Sequence, residues 1–249
     1  MEFQVLGQVA VLRDGEVVRP AGLIARTLLS VLLSRRDTPV PVEVLTETLW
    51  PDGDRRGAAR RLHVQVSRLR TALGDANRLR FEQDAYRLRV LPDELDATRF
   101  LTMVDEAIEL ADAEPARCVE VARKALTLWR GDPYGGLDVP MMLDDDARLR
   151  ERRLAALEVL YRAELSLDRH AAVLADVAEF ASRNPLHEPA QWLHISALHR
   201  SGRGAEATAS YHAARRRLVA ELGIGPGPEL RELARRMIAG QPVALTGAA

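Results

Sequence analysis

Cysteine is almost missing from this chain. Cys118 is the only one in 249 residues, so no internal disulfide can form, and a reducing, cytoplasmic setting is expected. Lysine is equally scarce: of 35 basic residues only Lys124 is a lysine, an arginine bias of the kind a GC-rich genome produces. No apolar run approaches the roughly 18 residues that a membrane-spanning helix needs, which excludes a helical membrane span. The opening "MEFQVLGQVAVL" has no basic n-region and alternates like a strand, so no signal peptide is expected. The six histidines show neither an HExxH nor a Cys/His zinc spacing, and no metal or cofactor is expected. "GDPYGGLDVP" is glycine-rich, yet it lacks the Gly-Lys-Ser/Thr ending and the preceding strand of a phosphate loop. The acids Asp144–Asp146 open a helix, where they favour its dipole, and this reading is preferred to a cation site. No nucleophile–base pair is legible, so no enzymatic activity is expected.

Net charge is also close to absent, at -1, but its distribution is uneven. Residues 1–91 hold 15 arginines against 11 acids, whereas residues 92–249 hold 20 basic residues against 25 acids. Within residues 55–91 there are 10 arginines against Asp75, Glu82 and Asp84, a local charge of +7. Such a concentration inside a neutral chain points to a polyanionic partner.

With 47% hydrophobic and 29% charged residues, the chain reads as globular and long enough for two domains. "FQVLG" and "QVAVLRDGEVV" alternate like strands around an Asp14-Gly15 turn. The period then changes. Ile24, Leu28, Val31 and Leu32 mark one helical stripe, and "TPVPVEVLTETLWPDG" predicts a shorter helix with Pro41 in its first turn and Leu45 and Leu49 inward. "RRLHVQVSRLRTALGD" predicts a third helix, closed by Gly74. "RLRFE" and "YRLRV" read as a hairpin with a tight "QDA" tip, and Pro92 with "DELD" breaks the pattern. Beyond Asp96 only helices are expected, near 97–112, 115–130, 144–168, 171–183, 187–201, 204–222 and 228–239. Strands, three helices, a hairpin and then helices alone predict two domains, 1–95 and 96–249. "LDRHAAVLADV" and "SGRGAEATASY" superpose Arg169 on Arg203 at an offset of 34, the tetratricopeptide period.

The third helix carries the chemistry. Leu62, Val66, Leu69 and Leu73 form one buried stripe. Arg60, Val64, Arg68 and Thr71 fall opposite it, with Arg61, Gln65 and Arg70 on the flanks. Arginine can hold guanine or phosphate, glutamine can pair with adenine, and an exposed valine can meet a thymine methyl. A solvated charged face is the plainer alternative, but surface helices interleave acids and this face has none. Arg87, beside the hairpin tip, suits a minor groove or an ordinary edge strand. Tyr86 reads as core.

Residues 1–95 resemble the OmpR-class winged helix, through "VQVSRLRTALG" and "AYRL". Joined to "ALTLWRG", "LRERRLAALE", "NPLHE" and "LVAELGIGPGPELREL", they resemble the Streptomyces antibiotic regulatory protein family, whose second half is a bacterial transcriptional activator domain. The resemblance covers residues 1–240. It implies an α+β winged-helix domain followed by an all-α, tetratricopeptide-like helical-repeat domain. By position it carries DNA contacts to Val64, Gln65, Arg68 and Arg70, and the wing arginine to Arg87. The seven-residue "PDGDRRG" turn matches a loop that faces RNA polymerase in the OmpR class, which makes Asp52, Asp54 and Arg55 candidate polymerase contacts; a merely tolerated loop is the alternative. Two departures stand out: Gln83-Asp84-Ala85 replaces the glycine-containing wing tip, and Pro41 replaces a capping serine.

The expected function is a sequence-specific, DNA-binding transcriptional activator. The resemblance implies binding to promoter direct repeats as a head-to-tail dimer, with recruitment of RNA polymerase holoenzyme to an antibiotic or other secondary-metabolite gene cluster. The alternative is a tetratricopeptide-type interaction adaptor with incidental nucleic-acid affinity.

Overall fold

The computed structural model describes residues 1–51 and 56–241, so the candidate polymerase contacts Asp52, Asp54 and Arg55 lie outside the described residues. The chain divides into two compact units. The first comprises Met1–Met103 and Ala125–Arg153, the second Val104–Lys124 and Leu154–Ala249.

In the first unit, strands β1 (Glu2–Gln4), β2 (Ala10–Arg13) and β3 (Glu16–Val18) form an antiparallel meander. Arg13 pairs with Glu16 across a two-residue turn, Asp14 and Gly15 both having positive φ, as the sequence signal requires. Helix α1 (Leu23–Ser34) departs from the expected single stripe: Thr27 to Leu33 are all buried. It is packed by α2 (Val42–Leu49), α3 (Ala58–Leu73), strand β6 (Ala85–Leu88) and the 3-10 turn Pro140–Met142. The buried hydroxyls of Thr27 and Ser30 donate back to Leu23 O (3.0 Å) and Arg26 O (2.8 Å), which is how polar groups are accommodated inside the helical core. Strand β4 (Val40–Pro41) and strand β5 (Leu79–Glu82) flank β6 in the order β4-β6-β5. Three helices with this small sheet make a winged helix.

The last of these strands ends at Leu88, yet the compact units do not part at residues 92–96. The reason is Asp96, the first residue of α4 (Asp96–Leu110) and fully buried. Its carboxylate accepts the Val5 and Leu6 amides at 2.9 and 3.2 Å and pairs with Arg130. Burial pushes this carboxyl above the ordinary range, against the pull of those amides and of Arg130. The segment after α5 (Pro115–Leu126) continues the tie, with Arg130 N donating to Leu6 O and Tyr134 N to Val5 O, both at 2.7 Å. Gly7 is required at this approach: its φ is +142°, and a Cβ there would stand 3.0 Å from Arg130 Cβ. Tyr134, fully buried, donates its hydroxyl to Asp145, which also accepts from Arg36 at 3.1 Å. One of the three acids opening α6 (Leu143–Ser166) therefore anchors a buried network, beyond favouring the helix dipole.

In the second unit, α7 (His170–Arg183), α8 (Glu188–Arg200), α9 (Gly204–Leu222) and α10 (Pro228–Ile238) pack on one another, with α8 touching all of the other three. The offset of 34 holds in the backbone. Arg169 and Arg203 are the N-caps of α7 and α9, each preceded by a residue at positive φ, Asp168 and Gly202. Ala207 and Ala214 occupy the buried positions that Val173 and Phe180 hold one repeat earlier.

Candidate nucleic-acid interface

Helix α3 starts weakly, from Gly57 in the left-handed region without a side-chain cap, and ends on Gly74, φ 71°, whose N–H closes on Arg70 O and Thr71 O. Leu62, Val66, Leu69 and Leu73 are buried, at 2% exposure or less, with Ala58 extending the stripe. At 100° per residue this leaves Arg60, Val64, Ser67, Arg68 and Thr71 facing outward, and all five are exposed. Val64 is 47% exposed. Neither Arg60 nor Arg68 has a hydrogen bond or ion pair among the described residues. Thr71 donates its hydroxyl to Ser67 O at 3.2 Å.

The flanks are already engaged. On one side Arg61 lies over the Trp50 ring, 5.0 Å from its centroid, and Gln65 is half-buried. On the other, Arg70 turns away from the outward face, and its Nε and Nη2 donate to Leu79 O at 3.0 and 2.7 Å. Arg70, expected as a DNA contact, here ties the helix to the hairpin. The cause is proximity to β5, which the spacing within α3 cannot reveal.

The hairpin tip also differs from the expected three residues. Glu82 pairs with Ala85, so the turn is Gln83-Asp84, with φ 50° and 59°, and Ala85 is a buried strand residue. Two non-glycine residues adopt the two positive φ values of a type I′ turn. Asp84 O accepts Val42 N at 3.0 Å, which pins the tip to the start of α2 after the N-cap Pro41. Arg87 is half-exposed, 3.9 Å from Glu82, and sits directly across from Arg80. Tyr86 is buried, at 3% exposure. The sequence reading missed Ser67, which the same helical wheel would have found. It also missed Arg80, whose place beside Arg87 needs the strand register.

Elsewhere, a cavity of about 390 Å³ lies among α7, α8 and α9, floored by Ala171, Leu174, Ala175 and Leu198. His194 lines it, and burial first, then Arg203, lowers its pKa against the pull of Glu206. No cluster of metal-ligating side chains occurs among the described residues, and no described helix is long and apolar enough to cross a membrane.

A winged helix presenting an acid-free arginine face, joined to a helical-repeat unit, defines a DNA-binding regulator class. Residues 95–238 match the bacterial transcriptional activator domain, and residues 24–82 match the family described as transcriptional regulatory protein, C terminal. The chain belongs to the Streptomyces antibiotic regulatory protein family of transcriptional regulators. Regulatory protein DnrI of Streptomyces peucetius is 30% identical over 97% of this chain and 93% of its own length. Regulatory protein AfsR of Streptomyces coelicolor is 33% identical over 97% of this chain, which spans only 24% of AfsR. Among solved structures, Mycobacterium tuberculosis EmbR, in complex with a low-affinity phosphopeptide, superposes with a TM-score of 0.90 at 29% identity, covering 98% of this chain and 66% of that one.

Proposed function

We propose that this chain is a sequence-specific transcriptional activator that lays α3 in the major groove of promoter DNA. The observation that carries this reading is the outward face Arg60–Val64–Ser67–Arg68–Thr71, with two arginines that no described protein group engages and no acid among them. Arg80 beside Arg87 supports it by adding two positive charges to the hairpin, of which, among the described residues, only Arg87 has a carboxylate nearby, Glu82 at 3.9 Å. In this reading Arg60 and Arg68 meet bases or phosphates, Val64 meets a thymine methyl, and Arg87 reaches the neighbouring minor groove from the hairpin. Arg61 and Gln65 steady the flank.

The family supplies the remainder of the proposal. The protein binds direct repeats as a head-to-tail dimer, recruits RNA polymerase holoenzyme through Asp52, Asp54 and Arg55, and switches on a secondary-metabolite gene cluster in the cytoplasm. The helical-repeat unit serves as a scaffold for protein partners. The cavity among α7, α8 and α9 favours a second reading, an adaptor whose DNA affinity is incidental.

The test is selection of sheared genomic DNA on the purified chain, followed by anisotropy titration of the recovered fragment at two salt concentrations. A reader enriches one promoter with spaced repeats, and its affinity falls steeply with salt as counterions are released. Arg68→Ala is expected to cost about 1–3 kcal/mol and to relax specificity at one base position. An adaptor enriches no sequence, and Arg68→Ala leaves its weak binding unchanged.

A further inference from the structure

The strand register divides the hairpin into two faces. Leu79, Phe81, Tyr86 and Leu88 share one, and Arg80, Glu82, Ala85 and Arg87 the other. On the first face Leu79, Tyr86 and Leu88 are buried at 3% exposure or less, but Phe81 is 50% exposed. His63, exposed on the hairpin side of α3, stands edge-on to both rings, with its centroid 6.3 Å from Phe81 and from Tyr86. Phe81 and Tyr86 lie 5.0 Å apart. No hydrogen bond or ion pair engages the His63 ring nitrogens among the described residues. One turn to either side on α3 are Arg60 and Ser67, part of the outward face.

These three rings form a notch between the helix and the hairpin, apolar at Phe81 and hydrogen-bonding at His63. An occupant must bring apolar surface beside an anionic acceptor, with Arg60 one turn away on α3. A sugar flanked by its phosphate has that chemistry. A strand leaving the groove read by α3 for the groove beside the hairpin must also pass this junction. We infer that His63 and Phe81 seat one deoxyribose-phosphate unit of the DNA backbone, the sugar against the Phe81 ring and the phosphate accepting from a His63 ring N–H. The inference rests on the reading of α3 as a groove helix. It adds a sequence-independent contact that fixes the position of α3 along the duplex.

The test compares the full chain with His63→Ala, Phe81→Ala, Phe81→Leu and Arg68→Ala, on the genomically selected duplex and on one of unrelated sequence. His63→Ala and Phe81→Ala are expected to weaken both duplexes by about five- to tenfold and to equal extents, as a backbone contact does, with Phe81→Leu intermediate. Thermal melting checks that each variant is folded. His63 is exposed, so its variant carries the test if truncation of Phe81 destabilises the hairpin. Neutral methylphosphonates are then placed one phosphate at a time. At one phosphate per half-site the substitution should cost the wild-type protein affinity and cost His63→Ala nothing further, the non-additivity of a direct contact. Should every methylphosphonate cost both proteins equally, the seat is overturned. If both notch variants bind like the wild type while Arg68→Ala loses the selected duplex, the seat fails and the groove reading stands. If Arg68→Ala is also without effect, both fail together.

Discussion

Arg68 and Arg70 differ by two positions in sequence and entirely in employment. Arg68 points outward with no partner among the described residues, whereas Arg70 spends two N–H groups on Leu79 O. Arg70→Ala is therefore expected to act on stability rather than on base preference. It should lower unfolding free energy by about 1.5–3 kcal/mol, the range for a hydrogen bond from a charged donor, and leave the order of preferred sequences unchanged; urea melts and a selection experiment check the two halves. This pair also marks the limit of reading residues from sequence. Periodicity assigned Leu62, Val66, Leu69 and Leu73 to the core, because a helix repeats itself every 3.6 residues. The partner of Arg70 is set by where β5 lies, which no spacing within α3 encodes. The same holds for His63, whose two aromatic neighbours come from the hairpin.

At the scale of elements, the hairpin carries local strain. Gln83 and Asp84 both occupy positive φ, where residues with a Cβ are disfavoured and Asn-Gly is preferred. Replacing Gln83-Asp84 by Asn-Gly is expected to raise stability by about 0.5–1 kcal/mol, measured as a shift in the urea midpoint with unchanged slope. The Asp84 O to Val42 N bond uses the backbone alone and should survive the exchange. The hairpin itself is legible as two alternating runs, but the sequence implies a tip one residue too long, because Ala85 gives no sign of belonging to the strand. Helices of the second half were legible to within a few residues; α5 ends at Leu126 where "LTLWRG" suggested a longer run. Buried faces hidden from periodicity behave differently. Helix α1 was readable as a helix, while the burial of every residue from Thr27 to Leu33 depends on several elements, among them the Pro140–Met142 turn more than a hundred residues away.

For the whole molecule, the boundary of the first unit matters more than the change from strands to helices. A chain ended after residue 95 would lack the Asp96 carboxylate, the Arg130 and Tyr134 amide bonds to Leu6 and Val5, and the turn that packs on α1. Such a chain is expected to be less stable than one ended after residue 153 by several kcal/mol, because four backbone groups of Val5 and Leu6 lose hydrogen-bond partners worth about 1 kcal/mol each. Thermal melting and amide exchange of Val5 and Leu6 in the two truncations would show it; equal protection would refute it. The sequence could not announce this, since Asp96 and Arg130 look like ordinary surface charges until the fold closes over the carboxylate.

The division of labour on α3 has a consequence for how regulators of this kind diverge. Residues bound to the hairpin or to Trp50 cannot change without loosening the domain, but Arg60, Val64, Ser67, Arg68 and Thr71 bear almost no structural duty. On the proposed reading of α3, a copy arising by gene duplication can drift at these five positions at little cost to folding and acquire a new operator in a few steps. The tether of Arg70 to the wing meanwhile preserves the scaffold on which each new preference is tried.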